Sequence, residues 1–180
     1  DVDLSASVRM DHKAGFGDFP NGRLAIAYRP DTATTLRASV ATGFRAPSID
    51  ERFGDYPGYY AFVGNPDLTP EKSLSYEFGV EHVYGNGASV SATLFQLNVN
   101  DLVTYVFGLP STLVNLPGKS KRSGVELSAQ MPINDRVSLT AAYTYTDARN
   151  PAGGRLVQVP FHDLSLGLAA KVTDKLSAEV

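Results

Sequence analysis

Apolar and polar residues alternate with period two along most of the chain, and helical periodicity is almost absent. Over residues 2–11, Val2, Leu4, Ala6, Val8 and Met10 share one face, while Asp3, Ser5, Ser7, Arg9 and Asp11 share the other. Leu24, Ile26 and Tyr28 lie opposite Arg23, Ala25 and Ala27, and Leu36, Ala38 and Val40 lie opposite Arg37, Ser39 and Ala41. Tyr76, Phe78 and Val80 are set against Glu77, Gly79 and Glu81. The run 88–105 reads as one strand whose faces blur after Leu94, as a β-bulge there would produce. Residues 125–129, 137–147 and 163–172 repeat the scheme, and a last strand opens at Leu176. The pattern predicts about nine antiparallel strands.

The connections alternate as well. Residues 30–34, 85–87, 132–136 and 173–175 read as tight turns, whereas the joins at 12–22, 46–73, 106–119 and 148–161 read as long. Strands of an up-and-down sheet reverse at every turn, so the short connections gather at one end and the long ones at the other. Short periplasmic turns opposite long outer loops characterise transmembrane β-barrels of bacterial outer membranes. The charged polar face suits a wide aqueous lumen. Tyr28 and Tyr84 near the short-turn end, with Tyr76, Tyr143 and Tyr145 near the other, match the two aromatic girdles of such a barrel. A soluble or secreted antiparallel β-sheet binding module remains an alternative reading of period two alone, as does a passive porin.

Composition narrows the chemistry. The 180 residues carry a formal net charge of −3 and no cysteine, which excludes disulfides and thiolate metal sites and gives nucleic acid no electrostatic footprint. Mean hydropathy is −0.13. No apolar run approaches the roughly 20 residues of a membrane-spanning helix, a limit that leaves β-barrels open.

The segments "GFRAPS" (43–48) and "GNPDLTPEKSLSYEFGVE" (64–81) resemble the barrel domain of TonB-dependent outer-membrane receptors. "KSKRSGVEL" (119–127) is similar to the same family's next barrel segment, and "YTYTDARN" (143–150) resembles the cobalamin receptors in particular. The resemblance implies a barrel of about 22 strands with a plug domain folded inside and a TonB box. Residues 1–180 then form a partial, middle-to-late slice of that barrel, without plug, TonB box or terminal strand. It also implies an active transporter of the Gram-negative outer membrane that imports cobalamin or a ferric siderophore, with membrane lipid, the plug and TonB as partners.

The long, aromatic connection at 46–73 fits a ligand-catching mouth. Tyr56, Tyr59, Tyr60 and Phe62 offer large contact surfaces at low entropic cost, joined by Tyr105, Phe107 and Arg155 from later loops. Arg37, Arg45, Glu77, Glu81 and Glu126 are expected to face the lumen, steering a charged substrate, meeting the plug, or pairing across strands. The run at 64–72 reads as turn-forming backbone that returns the chain to the rim. Catalysis and cofactors find no support: His12, His82 and His162 are scattered, and "PGKS" (117–120) has Leu113 where a phosphate loop needs glycine. The loop carboxylates Asp11, Asp18, Asp55 and Asp67 show no EF-hand spacing, and no metal ligands are assigned.

Overall fold

A computed structural model describes residues 1–58, 61–173 and 176–179. Its strands are β1 (Val2–Lys13), β2 (Gly17–Tyr28), β3 (Thr34–Arg45), β4 (Asp55–Tyr56), β5 (Phe62–Val63), β6 (Glu71–Val83), β7 (Ser89–Asn100), β8 (Val103–Val106), β9 (Thr112–Asn115), β10 (Lys119–Asn134), β11 (Val137–Arg149), β12 (His162–Thr173) and β13 (Leu176–Glu179); one short helix, α1, covers Ile49–Phe53. Nine strands form a single sheet in the order β1-β2-β3-β6-β7-β10-β11-β12-β13, each antiparallel to its neighbours. The pairs β4–β5 and β8–β9 are hairpins of their own within the long connections.

Register sorts the side chains into rows. Asp3, Ala27, Arg37, Gly79, Thr93, Glu126, Thr144 and Asp163 stand side by side on one face across eight strands. Leu4, Ile26, Ala38, Phe78, Leu94, Val125, Tyr145 and His162 form the adjacent row on the other. Nothing among the described residues covers this apolar face: Leu4 is 74% and Leu164 67% exposed. A sheet that leaves its aliphatic face bare and its charged face on the other side has the opposite of a water-soluble sheet's needs.

Short turns are built by side chains that replace missing backbone partners. The Asp31 carboxylate accepts from the amides of Ala33 and Thr34 (2.8 and 2.7 Å), and Asn134 Oδ1 accepts from the Arg136 amide (2.9 Å). Gly87, at φ +81°, turns the chain between β6 and β7. The expected turn at 173–175 falls partly outside the described residues.

The run 88–105 is not one strand: β7 ends at Asn100, Asp101 turns the chain at φ +57°, and β8 starts a separate hairpin at Val103. Two further expectations from the pattern fail for a shared reason. The join 12–22 is not a long loop: β1 and β2 stay paired up to Lys13 and Gly17, and residues 14–16 close the hairpin with Gly15 at φ +81°. In β7 there is no bulge after Leu94, because its register is unbroken from Ser89 to Asn100 against both neighbours. Polarity inverts instead. Phe95, Leu97 and Val99 fall on the charged face, and Gln96, Asn98 and Asn100 on the other. Eight strands of the sheet, β1–β3, β6, β7 and β10–β12, run 12 to 16 residues, more than the roughly 9–11 that cross hydrocarbon. Beyond that band the outer face meets water, so alternation stops marking a strand while pairing continues.

The buried apolar cluster lies among the loops. Phe62, Leu68 and Leu113 pack together with Val103 against them, joining the connection 46–70 to the connection 101–118.

Candidate functional site

The two connections are tied by two asparagines. Asn65 Nδ2 donates to the Leu113 carbonyl (2.9 Å), while its Oδ1 accepts from the Asp67 amide. Asn115 Nδ2 donates to the carbonyls of Thr69 (2.9 Å) and Asp101 (2.7 Å), and its Oδ1 accepts from the Thr69 amide. Residues 64–70 therefore bond a second loop as well as turning the chain. Gly64 lies against the backbone of α1, where a Cβ would come 2.6 Å from the Arg52 carbonyl carbon. The Arg52 guanidinium donates to the Pro66 carbonyl through Nε and Nη2 (3.0 and 2.6 Å) and lies 4.9 Å from the Phe16 ring at the β1–β2 turn.

On this scaffold the aromatic candidates form a ladder. Ring centroids step from Tyr56 to Phe62 (6.1 Å), from Phe62 to Tyr105 (6.0 Å) and from Tyr105 to Phe107 (6.4 Å). Phe62 is the buried rung, at 9% exposure; Tyr56, Tyr105 and Phe107 present their faces to solvent, Phe107 at 89%. Its position makes Phe62 a support for the others. The Tyr56 hydroxyl donates to the Asp50 carboxylate of α1, and this hydrogen bond, with the carboxylate's charge behind it, holds the phenol above its ordinary pKa. Tyr59 and Tyr60 lie outside the described residues. Arg155 sits apart on the connection between β11 and β12, its guanidinium over the Phe161 ring (3.2 Å) and bonded to the Val159 carbonyl.

The charged candidates divide. Arg37 pairs diagonally with Glu81 (2.7 Å), and Ser39 donates to Glu77 (3.3 Å). Arg45 Nε bonds Glu71 (2.7 Å) directly opposite it in register, and its Nη1 reaches both oxygens of Glu51 in α1 (2.9 Å each). Glu71, buried at 8% exposure, also accepts from the Val103 amide (2.6 Å). Glu51 closes a capping box with Ser48. This network pins α1, the strand rim and β8 together. Burial alone would raise the Glu51 pKa, but the Ser48 amide and the Arg45 guanidinium outweigh it and hold the carboxyl below its ordinary value. Glu126 forms no hydrogen bond or ion pair among the described residues and points from the charged face beside Thr93 and Thr144.

Sequence reading missed Glu71, Arg52 and the two asparagines, whose partners on other segments lie 14 to 48 residues away. The helix was within reach: Ser48 followed by Glu51 is a capping-box spacing. Among the described residues no group of three or more His, Asp or Glu side chains gathers as a metal site.

Comparison with known proteins fits this two-faced sheet and its loops. The family model for "TonB dependent receptor-like, beta-barrel" matches residues 1–175. An iron-regulated outer membrane virulence protein of Vibrio cholerae is 30% identical over 97% of this chain, which spans 30% of that protein's length. Among solved structures, the ferric enterobactin receptor PfeA of Pseudomonas aeruginosa in complex with enterobactin superposes with a TM-score of 0.81 at 21% identity, covering 99% of this chain and 29% of that one. The siderophore receptor PirA of the same organism gives 0.82 at 21%, over 99% and 33%. At these identities the structures show the fold: an incomplete run of outer-membrane receptor barrel wall.

Proposed function

The chain belongs to the TonB-dependent receptor β-barrel family, and from that premise we propose that its parent protein captures a ferric siderophore at the long-loop mouth and imports it with energy delivered through TonB. The sheet's apolar face meets outer-membrane lipid, and its charged face lines the lumen. The observation that carries the ligand reading is the aromatic ladder of Tyr56, Phe62, Tyr105 and Phe107, fixed by a buried loop core at that mouth. Flat, rigid rings partly free of partners suit a ligand with aromatic iron-chelating groups, which they can stack upon without a large entropic cost.

The relatives support iron over the other ligand class that the sequence suggested. The Vibrio cholerae protein is named for regulation by iron, PfeA is described as a ferric enterobactin receptor, and PirA as a siderophore receptor. Cobalamin draws no support from them. On the lumen wall, Arg37 and Glu81 are paired and hold register, whereas Glu126 stays open to meet the plug or a passing substrate.

The test is uptake by cells carrying the full-length protein. Radioiron supplied as a ferric catecholate should accumulate only with TonB present and the proton-motive force intact. Accumulation that survives loss of TonB would mark a passive pore. Cobalamin uptake without iron uptake would reverse the ligand assignment.

A further inference from the structure

We propose that the outward face of β6, β7, β10 and β11 binds the phosphorylated headgroup of an anionic membrane lipid through Lys72, Lys119, Lys121 and Arg149. The inference rests on the outer-membrane placement above and specifies the headgroup chemistry, and the residues that hold it, at the barrel's outer wall.

Register assembles these cations from three separate strands. Lys72 and Lys119 flank Asn100 in one row, and Lys121 stands between Asn98 and Arg149 in the next. All share the face of Tyr76, Leu94, Val125 and Tyr145, since no register shift interrupts these pairs. The row holding Lys121 and Arg149 lies two residues beyond that of Tyr76, about 7 Å along the strand. That is headgroup height above a hydrocarbon band ending at an aromatic girdle.

The charges are available. Lys72, Lys119 and Lys121 are exposed and make no hydrogen bond or ion pair among the described residues. Arg149 is partly engaged, with Nε on Asp147 (2.9 Å) and Nη1 on the Gly153 carbonyl (3.1 Å). Asp147 is thus neutralised within the patch, and Asp101, next to Asn100, makes no ion pair with the lysines. Asn98 and Asn100 add uncharged donors between the cations. Neighbouring strands are about 4.8 Å apart, so the four cations fall within the reach of one or two phosphates. Continuity with the lipid face distinguishes a lipid from a free anion: only a molecule with acyl chains uses the band below and the cations above at once. Alternation in "KSKR" does the sorting, sending Lys119 and Lys121 outward while Ser120 and Arg122 face the lumen.

The experiment uses the full-length receptor in uncharged detergent, with bound lipid counted by native mass spectrometry. The probes are a bis-phosphorylated disaccharide lipid, its dephosphorylated counterpart and inorganic phosphate. Replacing Lys72→Gln, Lys119→Gln and Lys121→Gln together should weaken the phosphorylated lipid by about ten- to a hundredfold. Arg122→Gln, on the lumen side, should leave it unchanged, and both variants should keep the heat-dependent gel mobility of a folded barrel. Equal binding by the triple variant overturns the proposal, and so does phosphate binding as tightly as the lipid. A parent protein recovered with soluble material would instead overturn the outer-membrane reading, a result that fractionation gives before any lipid is added.

Discussion

The ring of Phe95 lies over Gly124, its partner in register across β7 and β10, so closely that a Cβ on Gly124 would come 2.7 Å from Cζ of Phe95 and 1.9 Å from the carbonyl oxygen of Tyr145. An aromatic ring thus occupies the lumen wall where the neighbouring strand has given up its side chain. Gly124→Ala should lower the thermal stability of the full-length barrel by at least the roughly 1–3 kcal/mol of an overpacked core. Adding Phe95→Leu should restore only part, because the Tyr145 carbonyl does not move with the ring. Heat-dependent gel mobility measures both, and a stability unchanged by Gly124→Ala would mean that the strands part easily there.

Phe95 also explains where the sequence is legible and where it is not. Within the hydrocarbon band the alternation is enforced by lipid on one side and water on the other, so Leu4, Ile26, Phe78 and Leu127 can be placed by inspection. From the aromatic girdle upward the outer face exchanges lipid for water. Phe95, Leu97 and Val99 turn inward, and the paired ends of β1 and β2 read as a loop. The mouth is less legible again. Its aromatic residues are plain in the sequence, but the separation of the supporting Phe62 from the exposed Tyr105 and Phe107 depends on Leu68 and Leu113 from two different loops. Arg45 and Glu71 carry no local signal at all, since strand register and a buried carboxylate bring them together.

The face assignment makes a paired prediction on β12. Leu166 lies near mid-strand on the apolar face, opposite Ala141, and Ser165 beside it faces the lumen opposite Ala142. Leu166→Arg should reduce assembled barrel in the outer membrane, as a midplane arginine on the lipid side costs about 2–4 kcal/mol. Ser165→Arg should assemble nearly normally, because its charge meets water. Immunoblots of folded and unfolded bands would compare the two; equal loss in both would reverse or abolish the assignment.

The Glu51–Arg45 contact predicts a loop that loosens in acid. The folded-state pKa of Glu51 is held below its unfolded value, so the stabilisation is present above the ordinary carboxylate range, about pH 4.3, and is lost as pH falls through the lower folded value. Hydrogen exchange over residues 46–58, taken relative to the intrinsic amide rate at each pH, should therefore be slow at neutral pH and quicken once the pH has dropped below that range. Glu51→Gln should quicken it already at neutral pH and flatten the remaining pH dependence. Protection that persists unchanged into acid in the native protein would show that Asn65, Gly64 and Arg52 hold α1 without the ion pair.

The ladder predicts two distinct kinds of loss at the mouth. Tyr105 and Phe107 are exposed, and neither belongs to the buried cluster of Phe62, Leu68 and Leu113. Tyr105→Ala and Phe107→Ala should each weaken binding of a ferric catecholate by about tenfold, read by fluorescence quenching of the full-length protein, with protease resistance of the loops unchanged. Phe62→Ala removes the ring that packs on Leu68 and Leu113, stacks on Tyr56 and meets Tyr105 at a tilt. Truncating a buried phenylalanine costs about 3–5 kcal/mol, so the connections 46–70 and 101–118 should become cleavable together, and ligand affinity should fall with them. Cleavage confined to one connection would show that Asn65 and Asn115, not the apolar cluster, bind the two loops. Normal ligand affinity in the Tyr105→Ala, Phe107→Ala double variant would remove the ladder from the binding surface, because no other route from these solvent-facing rings to the ligand would remain.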